Sequence, residues 1–295
     1  MATVAVRVGT RPREGATARL VRLVTRGPVN VVLVAVALLW LVPSVGLLVT
    51  SFRTVQDYAE SGWWKVFTVP SQLTVENYRR LLDNPEMLRS FGNTVLITVP
   101  SSLLVVLIAA LAAYAFAWGR FPGRDALFLV LVGLLVVPLQ IALIPVAKLY
   151  SVLKIYGTIP GVVLFHVAFG LPFAIFLLRN FFIGIPHELL EAARMDGAGE
   201  LRIFLRVVLP LGLPAIASLL IFQFMWVWND LLVALVFASP RSAPLTLFIQ
   251  SNLRAFGSNV DIISSGAFLQ LVVPLVVFFA FQRYFVQGIL AGSVK

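Results

Sequence analysis

Glu191–Pro210 reads EAARMDGAGELRIFLRVVLP. It is a polar, helix-forming stretch between two long apolar segments. Pro186 suits the first turn of a helix running to about Asp196, because its missing N–H would be unpaired there in any case. Gly197 suits the left-handed position that ends such a helix. Beyond it, Leu201, Phe204, Leu205, Val208 and Leu209 fall at i, i+3, i+4, i+7 and i+8, which predicts one apolar face. Arg202 and Arg206 share the other face, and Pro210 is expected to interrupt the pattern. The reading is a helix–glycine–helix elbow exposed between membrane spans. Periodicity alone also fits an amphipathic connector lying on the membrane surface.

The rest of the chain supplies the setting. Of its 295 residues, 60% are hydrophobic and 12% charged. A soluble protein of that size could not hide so much apolar surface. Runs of about 20 apolar residues cross a bilayer, so a polytopic membrane protein is predicted. Cysteine is absent, which excludes disulfides, thiolate metal sites and thiol nucleophiles. His166 and His187 are too few and too distant in sequence to suggest a metal cluster. The net charge of +10 fits basic loops facing the cytoplasm and anionic lipid. No basic, aromatic-interleaved stretch of soluble character points to nucleic acid.

Residues 1–28 form a basic tail with Arg7, Arg11, Arg13, Arg19, Arg22 and Arg26, expected to be flexible and cytoplasmic. Val29–Thr50 is too long for the core of a signal peptide and is expected to be retained as the first span. Ser51–Ser90 is hydrophilic, with Trp63 and Trp64 as interface anchors and Thr74 as the N-cap of a short helix ending near Asn84. Further spans fall at about Phe91–Trp118, Ala126–Leu149, Thr158–Leu178, Leu211–Ala238 and Ile263–Val286. Pro138 and Pro145 should kink or locally open the third of the six. Arg120–Arg124 makes a tight basic turn. Lys148–Gly157 is a short external loop, and Ser239–Ile262 a longer one rich in Pro, Ser and Asn. Six spans place both termini on one side, together with the Arg-rich turn and elbow, and that side is the cytoplasm by the positive-inside rule. The expected parts are the tail at 1–28, the first span and external loop at 29–90, a transmembrane core at 91–286 with the elbow at 185–210, and a C-terminal tail at 287–295.

Polar residues within spans are the next candidates, since a mid-bilayer charge costs about 2.5–3.5 kcal/mol on insertion scales and faces a partner or a cavity. Asp230 is the clearest, preceded by Asn229; Gln140, Gln223 and Gln270 sit in spans three, five and six. They either line a route for a hydroxyl-rich solute or bind helices to one another. His166 reads as a satisfied helix-packing residue. The chain has no Gly-Lys dipeptide and therefore no phosphate-binding loop of the G-x-x-x-x-G-K-[ST] type. It shows neither a catalytic constellation nor the repeated halves of inverted-repeat carriers. What remains is a pore-forming subunit driven by another protein, with the elbow as its docking surface. An ion-coupled carrier centred on Asp230 is the alternative class.

Glu191-Ala192-Ala193, Gly197, Val207 and Leu209-Pro210 are spaced in a way that resembles the EAA loop of ABC-importer permeases, with Val207 where that family usually has Ile. Leu73–Leu82 (LTVENYRRLL), Phe91-Gly-Asn93, Ile185-Pro186, Trp228-Asn-Asp230 and Leu290-Ala-Gly-Ser293 look like the smaller, six-span permease subunit of maltose-type sugar importers. The resemblance implies an all-α integral membrane protein of six transmembrane helices with the ABC type I importer permease fold, in a bacterial cytoplasmic membrane. It marks Glu191, Ala192, Ala193, Arg194, Asp196, Gly197, Leu209 and Pro210 as the loop that docks on a cytoplasmic ATPase. It marks Gly292, Ser293 and Lys295 as a tail reaching between ATPases. It further implies a second, different permease, two copies of the ATPase, and an external solute-binding protein that the Ser51–Ser90 loop is placed to touch. ATP and Mg would be bound by the ATPase and no cofactor by this chain. The implied cargo is a sugar or short oligosaccharide, such as an α-glucoside. Amino acids, peptides and polyamines are the other cargoes that an ABC permease would carry.

Overall fold

The structure, a computed structural model, describes the backbone of residues 16–253 and 260–293, and side chains from 28 to 253 and 263 to 282. It is almost wholly helical. Helix α1 (Ala16–Ser51) precedes two short helices, α2 (Val55–Glu60) and α3 (Glu76–Leu82), separated by 3-10 turns at Trp63–Phe67 and Pro70–Gln72. The bundle follows as α4 (Pro85–Trp118), α5 (Arg124–Leu134), α6 (Leu139–Val152) and α7 (Ile159–Phe182). The elbow comprises α8 (His187–Met195) and α9 (Glu200–Ile203). The chain closes with α10 (Leu209–Trp228), α11 (Leu232–Phe237), α12 (Leu245–Leu253) and α13 (Val260–Ser293). Five stretches are long and apolar enough to cross a membrane, and the bent pair α5–α6 makes a sixth if it counts as one span.

Spans four to six of the prediction, and the third, needed adjustment at their ends. The third is not a kinked rod: α5 and α6 meet at 101° across Leu135–Pro138. Pro138 has no N–H to give and stands as the N-cap of α6, whereas Pro145 lies inside α6 without ending it. The fourth runs on to Phe182. The fifth stops at Trp228 rather than Ala238, and Leu232–Phe237 forms a separate helix. Within the expected loop Ser239–Ile262 lies a further helix, α12. The sixth extends backwards to Val260 and forwards to Ser293, so Gly292 and Ser293 end a helix rather than forming a tail. Likewise the N-terminal tail is helical from Ala16.

Helices α4, α7 and α10 make the centre. Between 44% and 50% of each span is buried, against 6% of the α1 span. In lipid, apolar burial does not drive helices together, so close contact of small residues does. Ala109, Ala110 and Ala113 of α4 and Ala174 of α7 are buried in the same core cluster. Gly170 of α7 lies so close to α10 and α4 that an added Cβ would stand 2.8 Å from Gln223 Nε2 and 3.0 Å from Val105 Cγ2. Gly212 of α10 similarly makes room for the fully buried ring of Phe182.

The hydrophilic stretch after α1 is folded back on itself. Arg53 is 1% exposed and donates to the carbonyls of Asp57 (2.7 Å) and Ser61 (3.0 Å) and to Ser61 Oγ (2.7 Å). Asn77, within the LTVENY segment, donates to the carbonyls of Ser51 and Arg53 and so pins the end of α1. Thr74 Oγ1 accepts from the Glu76 N–H, the expected cap of α3. Asn93 ties α4 to the stretch after α11 through the carbonyls of Arg241 and Ala243. Two motif asparagines therefore hold loops to helix ends.

Candidate coupling elbow and transmembrane polar residues

Helix α8 carries Glu188 in its first turn, where a carboxylate complements the helix dipole. It ends in a Schellman turn. The Ala198 N–H bonds to the Ala193 carbonyl and the Gly197 N–H to that of Arg194, both at 3.0 Å. Gly197 has φ +79°, the left-handed value that its place in the sequence predicts. Gly199, at φ −70°, then opens α9. Leu190, Ile203, Phe204 and Val208 are buried and seat the elbow on the bundle, and Ala193 packs against the same cluster.

The second half of the elbow departs from the expected pattern. Leu201 and Leu205 are 65% and 49% exposed, while Ile203 is buried. The cause is a π turn over Phe204–Val208, in which the Leu209 N–H reaches back to the Phe204 carbonyl. One extra residue in the turn rotates the faces away from a regular 3.6-residue count. The same turn carries Pro210 without a break. In a regular helix its ring would press on the carbonyl four residues earlier, and the wider turn relieves that pressure. So α9 and α10 form one membrane-length helix, Glu200–Trp228.

The eight predicted elbow residues divide accordingly. Glu191, Ala192, Asp196 and Gly197 are exposed, and Arg194 partly so. Ala193 and Leu209 pack against the core cluster, and Pro210 lies in the first turn of α10. Glu191 accepts from His187 Nδ1 at 3.0 Å. Arg194 donates to Glu200 through Nε (3.0 Å) and Nη2 (3.4 Å), and this bond holds its pKa above the ordinary guanidinium value. Tyr114 of α4 donates to the other side of Glu200. The ring of Trp118, one turn on, lies 5.4 Å from that of His187. Sequence reasoning passed over Glu200, Tyr114, Trp118 and His187. The available signal was the i, i+4 spacing of two aromatics with polar atoms at the end of a span.

The five transmembrane candidates do not converge on one cavity. Gln140 is exposed on the first turn of α6. Asn229 is exposed and donates to the Met225 carbonyl of its own helix (2.8 Å). Gln270 Nε2 donates to the Trp228 carbonyl (2.7 Å) while Trp228 Nε1 donates to the Gln270 carbonyl (3.1 Å), joining α10 to α13. Gln223 is 2% exposed, and its Nε2 has no hydrogen-bond partner among the described residues. Asp230 lies beyond the end of α10, not within it. Its oxygens accept from the N–H groups of Val233 (3.3 Å) and Ala234 (3.1 Å), capping α11. His166 does not stand alone: its Nε2 is 3.8 Å from Asp230 Oδ2, beside a small cavity lined also by Thr94 and Thr98. Lys295 and the side chains of Gly292 and Ser293 fall outside the described residues.

A family profile described as "binding-protein-dependent transport system inner membrane component" matches residues 90–291. The chain belongs to that family. The permease is 47% identical over 273 residues to the osmoprotective compounds uptake permease protein GgtD of Synechocystis sp., covering 91% of this chain and 92% of that one. It is 49% identical over 257 residues to the alpha-glucoside transport system permease protein AglG of Rhizobium meliloti, covering 83% and 68% respectively. Its fold matches a chain in the crystal structure of a bacterial ABC transporter that imports the acidic polysaccharide alginate. That match has a TM-score of 0.77 at 22% identity, covering 93% of the permease and 100% of the other chain. The permease thus has the type I ABC importer fold and is a multi-pass component of the inner membrane.

Proposed function

We propose that this permease is the smaller, six-span subunit of an ATP-driven, binding-protein-dependent importer of a sugar or short oligosaccharide. The observation that carries the reading is an exposed elbow with a rigid turn, continuous with a membrane-length helix. A push on Glu191, Ala192, Arg194 or Asp196 is delivered through Leu190 and Ile203 into α10 without passing a flexible joint. The pusher is a cytoplasmic ABC ATPase, present in two copies, which binds ATP and Mg. A second, different permease completes the pore, and an external solute-binding protein delivers cargo. Both termini and the elbow face the cytoplasm. Residues 287–295 contact the ATPases.

The names of the two relatives favour an α-glucoside or a related osmoprotective solute as cargo. Gln140 and Asn229, exposed at helix ends, are the path residues we retain. Asp230 and Gln270 we assign to holding helices together, which leaves an ion-coupled carrier without its central carboxylate. The cycle is alternating access: ATP closes the ATPases, the elbows move inward as rigid bodies, and the spans open to the outside.

Purification of the tagged, full-length chain from its host in mild detergent tests the reading. A co-purifying ATPase and second permease, both lost with Gly197→Asp, are the expected result. A chain that purifies alone and reconstitutes transport without ATP overturns it.

A further inference from the structure

We infer that Glu200 and Tyr114 form a clasp that transmits motion of the elbow to α4 as well as to α10. The inference rests on the proposed docking of an ATPase on the elbow.

One carboxylate joins three helices. Glu200 opens α9, accepts two bonds from Arg194 at the end of α8, and accepts the hydroxyl of Tyr114 from the last turns of α4. The Tyr114 ring also packs against Phe204 of the π turn at 5.4 Å. The start of α8 is held separately, by Trp118 against His187. Both ends of α8 are therefore anchored to α4, one by stacked rings and one through Glu200. Without Glu200, the end of α8 that carries Arg194 and Met195 has its Schellman turn but no bond across to α4. An elbow free to rock at that end would follow the ATPase without moving α4.

Exposure separates this role from a folding role. The Glu200 side chain is 61% exposed and that of Arg194 35% exposed, so the bonds compete with water and contribute little to stability. Their worth lies in geometry, because a fork of two N–H donors and a phenol fix the carboxylate from both sides. Glu200 and Tyr114 are thus positioning residues.

The chain has no cysteine, so labels can be placed without background. Spin labels at Arg120→Cys and Met195→Cys in the full-length chain, within the purified complex in lipid nanodiscs, report the distance from the end of α4 to the end of α8. A single narrow distribution is expected, broadened by Glu200→Gln and by Tyr114→Phe. In unlabelled complexes both variants keep their ATPase, and hydrolysis in the absence of the solute-binding protein rises about fivefold, the lower end of ordinary coupling energies. An unchanged distribution in both variants overturns the clasp. A broadened distribution with unchanged hydrolysis overturns its role in transmission. If no ATPase accompanies the unmutated chain, the docking reading fails instead, and the distance measurement on the chain still decides whether the clasp holds α8.

Discussion

His166 Nε2 stands 3.8 Å from Asp230 Oδ2, one on the central helix α7 and the other at the break that follows α10. Asp230 also accepts two backbone N–H groups of α11. The pair fixes where the broken segment sits against the core. Asn caps a helix about as well as Asp. Asp230→Asn should therefore keep ATP-driven uptake within about threefold, and Asp230→Ala should cost about 1 kcal/mol of stability. Uptake in proteoliposomes, with and without a protonophore, checks this. Abolition of uptake by Asp230→Asn, with normal assembly, would restore the ion-coupled alternative.

Gly197 and Gly199 make a matched pair. Neither would place a Cβ within 4 Å of another atom, so space does not distinguish them. Backbone does: φ is +79° at Gly197 and −70° at Gly199. Gly197→Ala should cost about 1–2 kcal/mol in the elbow and weaken ATPase retention, whereas Gly199→Ala should leave it intact. Co-purified ATPase per permease is the quantity to compare.

Close packing at Gly212 should be intolerant of a methyl group. A Cβ there would lie 2.6 Å from Phe182 Cε1, and Phe182 is fully buried. Gly212→Ala is expected to cost about 1–3 kcal/mol, read as a lower midpoint of heat aggregation in detergent. Gly92→Ala, with open space around the new methyl, should be neutral or stabilising by about 0.5–1 kcal/mol. Restoration of the Gly212→Ala protein by Phe182→Leu would identify the ring as the obstacle.

Arg53 holds the external segment closed. Its substitution by Met keeps the apolar stem but leaves the carbonyls of Asp57 and Ser61 without their charged donor. A loss on the order of 3 kcal/mol in local stability is expected, seen as faster proteolytic nicking between residues 54 and 75. An unchanged cleavage rate would show that Asn77 and Tyr78 suffice to hold the segment.

Much of this architecture was legible because lipid allows few answers. Long apolar runs had to be helices, and Gly197 between two helix-forming stretches had to be a left-handed stop. The helical stop at Trp228 was not legible, because Leu231–Ala238 is as apolar as the helix before it and the break is set by bonds from Thr246 and Val233 to Asp230. The 101° bend was half legible. Pro138 announced a disturbance, but its angle is a property of packing. At the elbow, periodicity gave Phe204 and Val208 correctly and Leu201 and Leu205 wrongly, because a count of 3.6 assumes no wide turn. Glu200 was missed for a different reason: its partners are six residues away on one side and 86 on the other.

The π turn at Phe204–Val208 sets a phase. Each residue advances a helix by about 100°, so deleting one residue there would not merely shorten the arm. It would turn the buried side of α10, with Ala215 and Leu219, out of step with the outward side of α8. Satisfying one would misalign the other. The permease can thus accept many changes of side chain in this turn but few changes of length, and a family member lacking the turn would need its compensating residue elsewhere between Gly199 and Gly212.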